Sequence, residues 1–190
     1  MPGYVAPMKA TIGDLPPPRD RASWSYELKW DGMRVITCTD GNRARMWSGN
    51  RIDVTVRFPE LVSIGSAVAG RPAILDGEVV AFSADGRPDF STMQTRMHIA
   101  DDREARRRAA QTPVLYVVFD LLHFDGHDLT SLPFEQRVGL LDELLDESDD
   151  WRQSTRHDDG AALLDVVNER RLEGVMAKRR DAPYAPGKRS

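Results

Sequence analysis

The chain has 190 residues, enough for one substantial domain or two very small ones, and its 41% hydrophobic and 29% charged content is ordinary for a globular protein. No stretch approaches the roughly 18 uninterrupted apolar residues of a membrane span, and Met1-Pro2-Gly3-Tyr4 lacks the basic-then-apolar start of a secretory signal. A single cysteine, Cys38, excludes an internal disulfide and suits a reducing cytoplasm, while the net charge of -4 argues mildly against a dedicated nucleic-acid module.

Residues 1–22 are rich in proline, with Pro16-Pro17-Pro18 at the centre, and read as an extended lead-in strip. Trp24, Tyr26 and Leu28 then alternate with polar neighbours, the period of a half-buried strand. Val35 to Thr39 and Arg43 to Trp47 flank Asp40-Gly41-Asn42 and predict a hairpin. Pro59-Glu60 opens a helical pattern that puts Leu61, Ile64 and Val68 on one face. Ile74 to Phe82 reads as a buried strand ended by Asp85-Gly86, and Phe90 to Arg108 as helix in one piece or two. Val114 to Leu122 is the most strand-like run, closed by Asp125-Gly126. A helix from Pro133 to about Leu145 presents Val138, Leu141 and Leu145 on one side, and the acidic run Asp142 to Asp150 reads as its solvated end. A helix over Ala161 to Arg171 and a short strand over Gly174 to Lys178 complete the pattern. Strands and helices mix without βαβ alternation, which predicts an α+β domain of mainly antiparallel sheet with no boundary for a second domain.

Glu27-Leu28-Lys29-Trp30-Asp31-Gly32-Met33-Arg34 holds the pattern K-x-D-G-x-R, which ordinary residue usage produces in about one chain of this length per several hundred. A lysine on a strand is normally a solvated lysine. Three further segments follow on predicted strands: Leu75-Asp76-Gly77-Glu78, Val118-Phe119-Asp120-Leu121-Leu122, and Glu173-Gly174-Val175-Met176-Ala177-Lys178. Each alone has a plain reading. Asp76-Gly77 could be a bulge, Phe119 a core aromatic, and Glu173 and Lys178 surface charges. Their order changes the balance.

Together these four segments resemble the ordered motifs of the covalent nucleotidyltransferases, the superfamily of DNA ligases, RNA ligases and mRNA capping enzymes. The likeness is strongest to bacterial ATP-dependent DNA ligases, particularly the ligase domain of end-joining ligases. Pro7-Met8, Arg57-Phe58-Pro59-Glu60-Leu61, Asp89 to Arg96, and Tyr184 to Ser190 add to it, so the resemblance runs from about residue 6 to the last residue. It implies antiparallel sheets flanked by helices around an ATP cleft, an ATP-grasp-like ligase core. It also implies self-adenylation: the Lys29 amine attacks the α-phosphate of ATP, releases pyrophosphate and carries AMP for transfer to a DNA 5′-phosphate and nick sealing in repair. A protonated lysine, with a reference pKa of about 10.4, is no nucleophile, and nearby cationic charge disfavours the ammonium. Lys178, Arg34 and a bound Mg²⁺ or Mn²⁺ could supply that charge.

By resemblance, Glu27 lies at the adenine end of the pocket and Phe119 stacks on adenine. Arg34 reaches ribose or phosphates, and Glu78 accepts a hydrogen bond from a ribose hydroxyl. Lys178 holds the α-phosphate, Glu173 is the metal-linked carboxylate, and Asp31 either positions the nucleophile loop or serves a turn. The implied partners are nicked or broken double-stranded DNA, met in the bacterial cytoplasm at the nucleoid, with no membrane.

The chain departs from the family in two places. The usual Ser-Arg-x-Gly is Ser48-Gly49-Asn50-Arg51, with glycine where arginine is expected. Relatives also continue past Ser190 into a tryptophan, a lysine pair and an oligonucleotide-binding domain. The resemblance therefore implies that residues 1–190 are the nucleotidyltransferase domain, truncated before that lysine motif, with the rest supplied by a further domain or a partner chain. Alternative readings are an RNA ligase, or a nucleotide- and nick-binding module without complete catalysis. The four histidines lack metal-ligand spacing and read as solvated or hydrogen-bonding. Arg103, Arg106, Arg107 and Arg108, and Lys178 to Arg180 with Lys188 and Arg189, read as solvated basic clusters.

Overall fold

Asp40 closes the predicted hairpin by accepting from the N–H groups of Asn42 and Arg43 at 3.1 and 2.9 Å, while Gly41 takes φ 94°, a conformation a side chain resists. In this computed structural model, which describes residues 1–189, the hairpin strands are β2 (Met33–Asp40) and β3 (Ala44–Ser48). β4 (Pro72–Ala81) pairs with β2, β5 (Val114–Phe124) with β4, and the two-residue β6 (His127–Asp128) with β5, all antiparallel. β7 (Trp151–Gln153) adds to β5 in parallel and completes a six-stranded sheet. A separate two-stranded sheet joins β1 (Trp24–Leu28) to β8 (Val175–Arg179). The helices are α1 (Phe90–Met97), α2 (Asp102–Gln111), α3 (Phe134–Leu144) and α4 (Gly160–Arg170). The α+β architecture of mainly antiparallel sheet flanked by helices matches the expectation.

The break between α1 and α2 is set by two caps. Asp89 accepts from the N–H groups of Ser91 and Thr92, and Asp101 accepts from that of Glu104. Hydrogen bonds from the hydroxyls of Thr92 and Ser91 also hold the Asp89 carboxyl down at about 2.

The main core lies on one face of the large sheet, where Val35, Leu75, Val79, Tyr116 and Val118 meet Phe58, Leu61 and Ile64. Burying each such side chain contributes roughly 1.5–3 kcal/mol. The opposite face carries Ile36, Cys38, Ile74 and Leu122, covered by Tyr184 and by Tyr4, Val5 and Met8 of the lead-in strip. Burial pushes the Cys38 thiol up to about 11, so it stays an unreactive apolar group.

Three expectations need correction. The lead-in strip ends in a 3-10 helix, Pro18–Ser23, because proline at a first helical position pre-sets the turn. The pattern opened by Pro59 is also a 3-10 helix, Pro59–Ser66; Leu61 and Ile64 are buried on it, and Val68 is buried beyond its end. β1 is not half-buried: Ser25, Tyr26 and Glu27 are all buried, since one face meets α4 and the other turns inward. β7 was not foreseen, being three residues directly after the acidic run.

Candidate active site

The register of the small sheet sets which side chains share a face. Ser25 stands opposite Lys178 and Glu27 opposite Met176, so these four face together. Tyr26 turns the other way onto α4, where Gly160 is required: a Cβ there would come 2.5 Å from the Tyr26 ring. On the inner face the Lys178 ammonium lies 2.7 Å from Glu27 Oε1, 4.5 Å from the centre of the Phe119 ring and 4.9 Å from that of Phe134. It donates to the Phe119 carbonyl at 3.4 Å. Glu27 is only 2% exposed, yet its Oε1 has no aligned hydrogen bond. The pair is held by charge alone.

Phe119 owes its position to a bulge. Asp76 pairs with Asp120 and Gly77 with Val118, which leaves Phe119 with no partner on β4. The extra residue re-aims the side chain. Gly77 makes this possible, because a Cβ there would come 2.5 Å from the Val117 carbonyl and 2.6 Å from the Tyr116 ring. Asp76-Gly77 is thus a bulge element, as its plain reading held, and the bulge serves Phe119. Gly32 has a similar role: a Cβ on it would run into the Val79 carbonyl of β4.

Arg34 places its guanidinium 4.4 Å from the Phe119 ring centre and grips Asp76 with two hydrogen bonds, Nε to Oδ1 at 2.6 Å and Nη2 to Oδ2 at 2.7 Å. Burial works against the charge, but Asp76 outweighs burial and holds the guanidinium protonated above its ordinary range. Arg34 is thereby committed to Asp76, with its flat face on the aromatic. Across the strand pair from Arg34 stands half-buried Glu78. Burial pushes its carboxyl up to about 8, against the pull of Arg34.

Lys29 lies just past β1, its N–H donating to the Gly174 carbonyl at 2.9 Å and its ammonium paired with the Glu173 carboxylate. The two side chains are 44% and 34% exposed, open enough for a ligand to part them. They line a cleft of about 160 Å³ together with Trp30, Asp31 and Arg171. Among the described residues no group of three or more acidic, His or Cys side chains converges as a metal site. Two carboxylates at the Lys29 cleft, Glu173 and Asp31, nevertheless have the donor chemistry for Mg²⁺ or Mn²⁺, which bind through one or two carboxylates, water and substrate phosphates.

The fold therefore gathers Arg34 and Lys178 at the Phe119 ring, with Glu27 against Lys178 and Glu78 across the strand pair from Arg34, and it places Lys29, Asp31 and Glu173 at a cleft two residues along from Glu27. Asp76 and Tyr184 belong with the first group and were not singled out from sequence. A charged residue inside an apolar strand was the available signal for Asp76. Arg51 is exposed, at φ 61°, with its guanidinium 5.7 Å from the Tyr4 ring centre. Gly49 is the position beside Arg34, where a Cβ would lie 3.8 Å from that of Arg34. In the basic cluster of α2, Arg106 pairs with Asp102, and Arg107 and Arg108 pair with Glu104, a solvated helix face.

Residues 8–190 match the family model of the ATP dependent DNA ligase domain. The multifunctional non-homologous end joining DNA repair protein LigD of Mycobacterium tuberculosis is 34% identical over 185 residues, covering 97% of this chain and 23% of that protein. A probable DNA ligase of Streptomyces griseus is 35% identical over 209 residues, covering 99% of this chain and 41% of its own. The chain thus spans less than half the length of these relatives. A solved structure of mycobacterial DNA ligase D complexed with ATP and MES superposes with a TM-score of 0.78 at 31% identity, covering 98% of this chain and 57% of the other.

Proposed function

Because the chain belongs to the ATP-dependent DNA ligase family, we propose that it is the adenylation domain of an end-joining ligase and that Lys29 is its nucleophile. The lysyl-AMP route is the general behaviour of this family, and the observation that carries it to these residues is the Lys29–Glu173 pair at an open cleft, two residues along from the Glu27 that meets Lys178 at the Phe119 ring. In the reaction, Lys29 Nζ loses a proton and bonds to the α-phosphorus of ATP. The bond from that phosphorus to the bridging oxygen breaks, pyrophosphate leaves, and a phosphoramidate remains.

The neighbouring residues divide the remaining work. Phe119 offers a purine-sized apolar ring, with the Arg34 guanidinium and the Lys178 ammonium beside it. Glu27 fixes the adenine end, and Glu78, largely protonated near neutral pH, hydrogen-bonds the ribose. Lys178 can leave its unaligned contact with Glu27 for the α-phosphate, where its charge stabilises the transition state. Glu173 orients Lys29 until the pair parts, and Asp31 lies beside it in the cleft. A Mg²⁺ or Mn²⁺ ion held at Glu173 would neutralise charge on the phosphates.

AMP would then pass to the 5′-phosphate of nicked or broken duplex DNA in the bacterial cytoplasm. No helix among the described residues is long and apolar enough to cross a membrane. Because the relatives extend well beyond the matched part, we assign sealing to this domain acting with further parts, such as an oligonucleotide-binding domain or a partner chain. The test uses ATP labelled at either the α- or the γ-phosphate. Covalent, divalent-dependent labelling of the protein by α-labelled ATP alone is expected; labelling from the γ-phosphate would contradict attack at the α-phosphorus.

A further inference from the structure

Tyr184 follows β8 and covers the outer face of the large sheet, with its ring against Ile36, Cys38, Ile74 and Leu122. A phenylalanine would satisfy that apolar surface. The hydroxyl does something else: it donates to Asp76 Oδ2 at 2.6 Å and accepts the Met8 N–H at 2.8 Å. The same Asp76, fully buried, holds both faces of the Arg34 fork, and Arg34 Nη2 reaches the Met8 carbonyl at 3.5 Å. Tyr184, Asp76, Arg34 and Met8 therefore close a ring of hydrogen bonds. The ring ties residues from the strip, β2, β4 and the segment after β8, and Arg34 carries it onto Phe119.

The strip and the C-terminal segment hold each other as well. Lys9 N–H donates to the Lys188 carbonyl at 2.8 Å, Gly187 N–H to that of Ala6 at 3.1 Å, and Ala185 N–H to Met8 Sδ at 3.3 Å. Burial and the neighbouring Asp76 charge both keep the Tyr184 phenol protonated, so it stays a donor at every working pH.

We propose that Tyr184 is a positioning residue for nucleotide binding, fixing Arg34 against the Phe119 ring through Asp76 and making the docked lead-in strip part of the nucleotide pocket. A hydrogen-bonded ring narrows the directions open to Asp76, and Asp76 is what aims Arg34. This inference rests on the reading of the Phe119 pocket as the ATP site.

The test measures the affinity of α,β-methylene-ATP, which binds without being split at the attacked position, together with the thermal midpoint. Tyr184→Phe keeps the ring and removes only the hydroxyl. It is expected to weaken binding about threefold to tenfold, the scale of one lost buried hydrogen bond. A merely structural role would lower the midpoint and leave affinity alone, and that result overturns the inference. If Tyr184→Phe does not fold, Asp76→Asn, which keeps the shape and loosens the grip on Arg34, is expected to show the same loss, and normal affinity there overturns it. Failure of the unaltered protein to bind the analogue would overturn the ATP-site reading itself, and this inference with it.

Discussion

Arg96 and Lys178 both bring a buried or half-buried cation to a carboxylate, and the two arrangements differ in how many hydrogen bonds meet the charge. Arg96 is fully buried; it donates to both oxygens of Glu60 at 2.7 and 3.0 Å and to the carbonyls of Thr112 and Arg57 at 2.6 and 2.7 Å. Arg137 of α3 repeats the pattern, gripping Asp120 of β5 at 2.7 and 2.8 Å and the carbonyls of Leu132 and Ala182 at 2.5 and 3.2 Å. Lys178 meets Glu27 without hydrogen-bond alignment, and Lys29 meets Glu173 at an open cleft. A planar fork with four acceptors is a fixed joint, whereas a point charge on one oxygen can be exchanged for a phosphate. Arg96 and Arg137 are built to hold the fold, and Lys178 and Lys29 have the looser pairing that the proposed ligand roles require.

The largest effect expected from breaking this comparison is at Lys29. Lys29→Ala should abolish covalent adenylation while circular dichroism and the thermal midpoint stay as they were; retained adenylation would remove Lys29 from the mechanism. On the fixed side, Arg96→Met leaves the Glu60 carboxylate without its partner and should cost about 3–5 kcal/mol of stability in a denaturant titration. Adenylation per folded molecule should be unchanged, and a selective loss of activity would erase the distinction drawn between the two kinds of pair.

Phe119→Ala sharpens the ligand side. ATP affinity should fall by about 1–3 kcal/mol in a calorimetric titration, the range for stacking of a base on an aromatic ring. Unchanged affinity would make Phe119 a core residue only.

The smallest effect concerns Glu78 and runs with pH. Its carboxyl, pushed up to about 8 in the fold, holds a proton that the unfolded chain releases near its ordinary value of 4.5. Across that window the folded state binds more protons, so this group's contribution to stability falls as pH rises and levels off above about 8. Glu78→Gln should flatten the decline by about 1 kcal/mol, less than full linkage because the half-buried carboxyl keeps some contact with water. Urea midpoints at the two ends of the window measure it, and equal slopes in both proteins would contradict the raised value.

Local pattern made much of this legible in the sequence. The Asp40-Gly41-Asn42 turn, the strand around Val114 and the order of the four motif segments all rest on neighbours a few residues apart. Pairings between distant residues were not legible. Lys178 meets Glu27, and Glu173 meets Lys29, only because β8 lies along β1, and no periodicity announces that register. Arg34 was expected to reach ribose or phosphates; its hold on Asp76 depends on the β2–β4 pairing. Phe119 was legible as an aromatic in a motif, but its aim comes from a bulge that only the opposing strand reveals. Trp151 to Gln153 became a strand by joining β5, which three residues cannot signal alone. The Ser48–Arg51 departure was visible as a change of letters, while Arg51's place over Tyr4 depends on where the lead-in strip docks.

The proposed mechanism stands on Lys29 as the residue that carries AMP. The most direct test is the intact mass of the protein before and after incubation with ATP and Mg²⁺, then with pyrophosphate, followed by peptide mapping of any adduct. A single AMP on Lys29 that pyrophosphate removes is expected. An adduct on another residue, or none under any of these conditions, would contradict it.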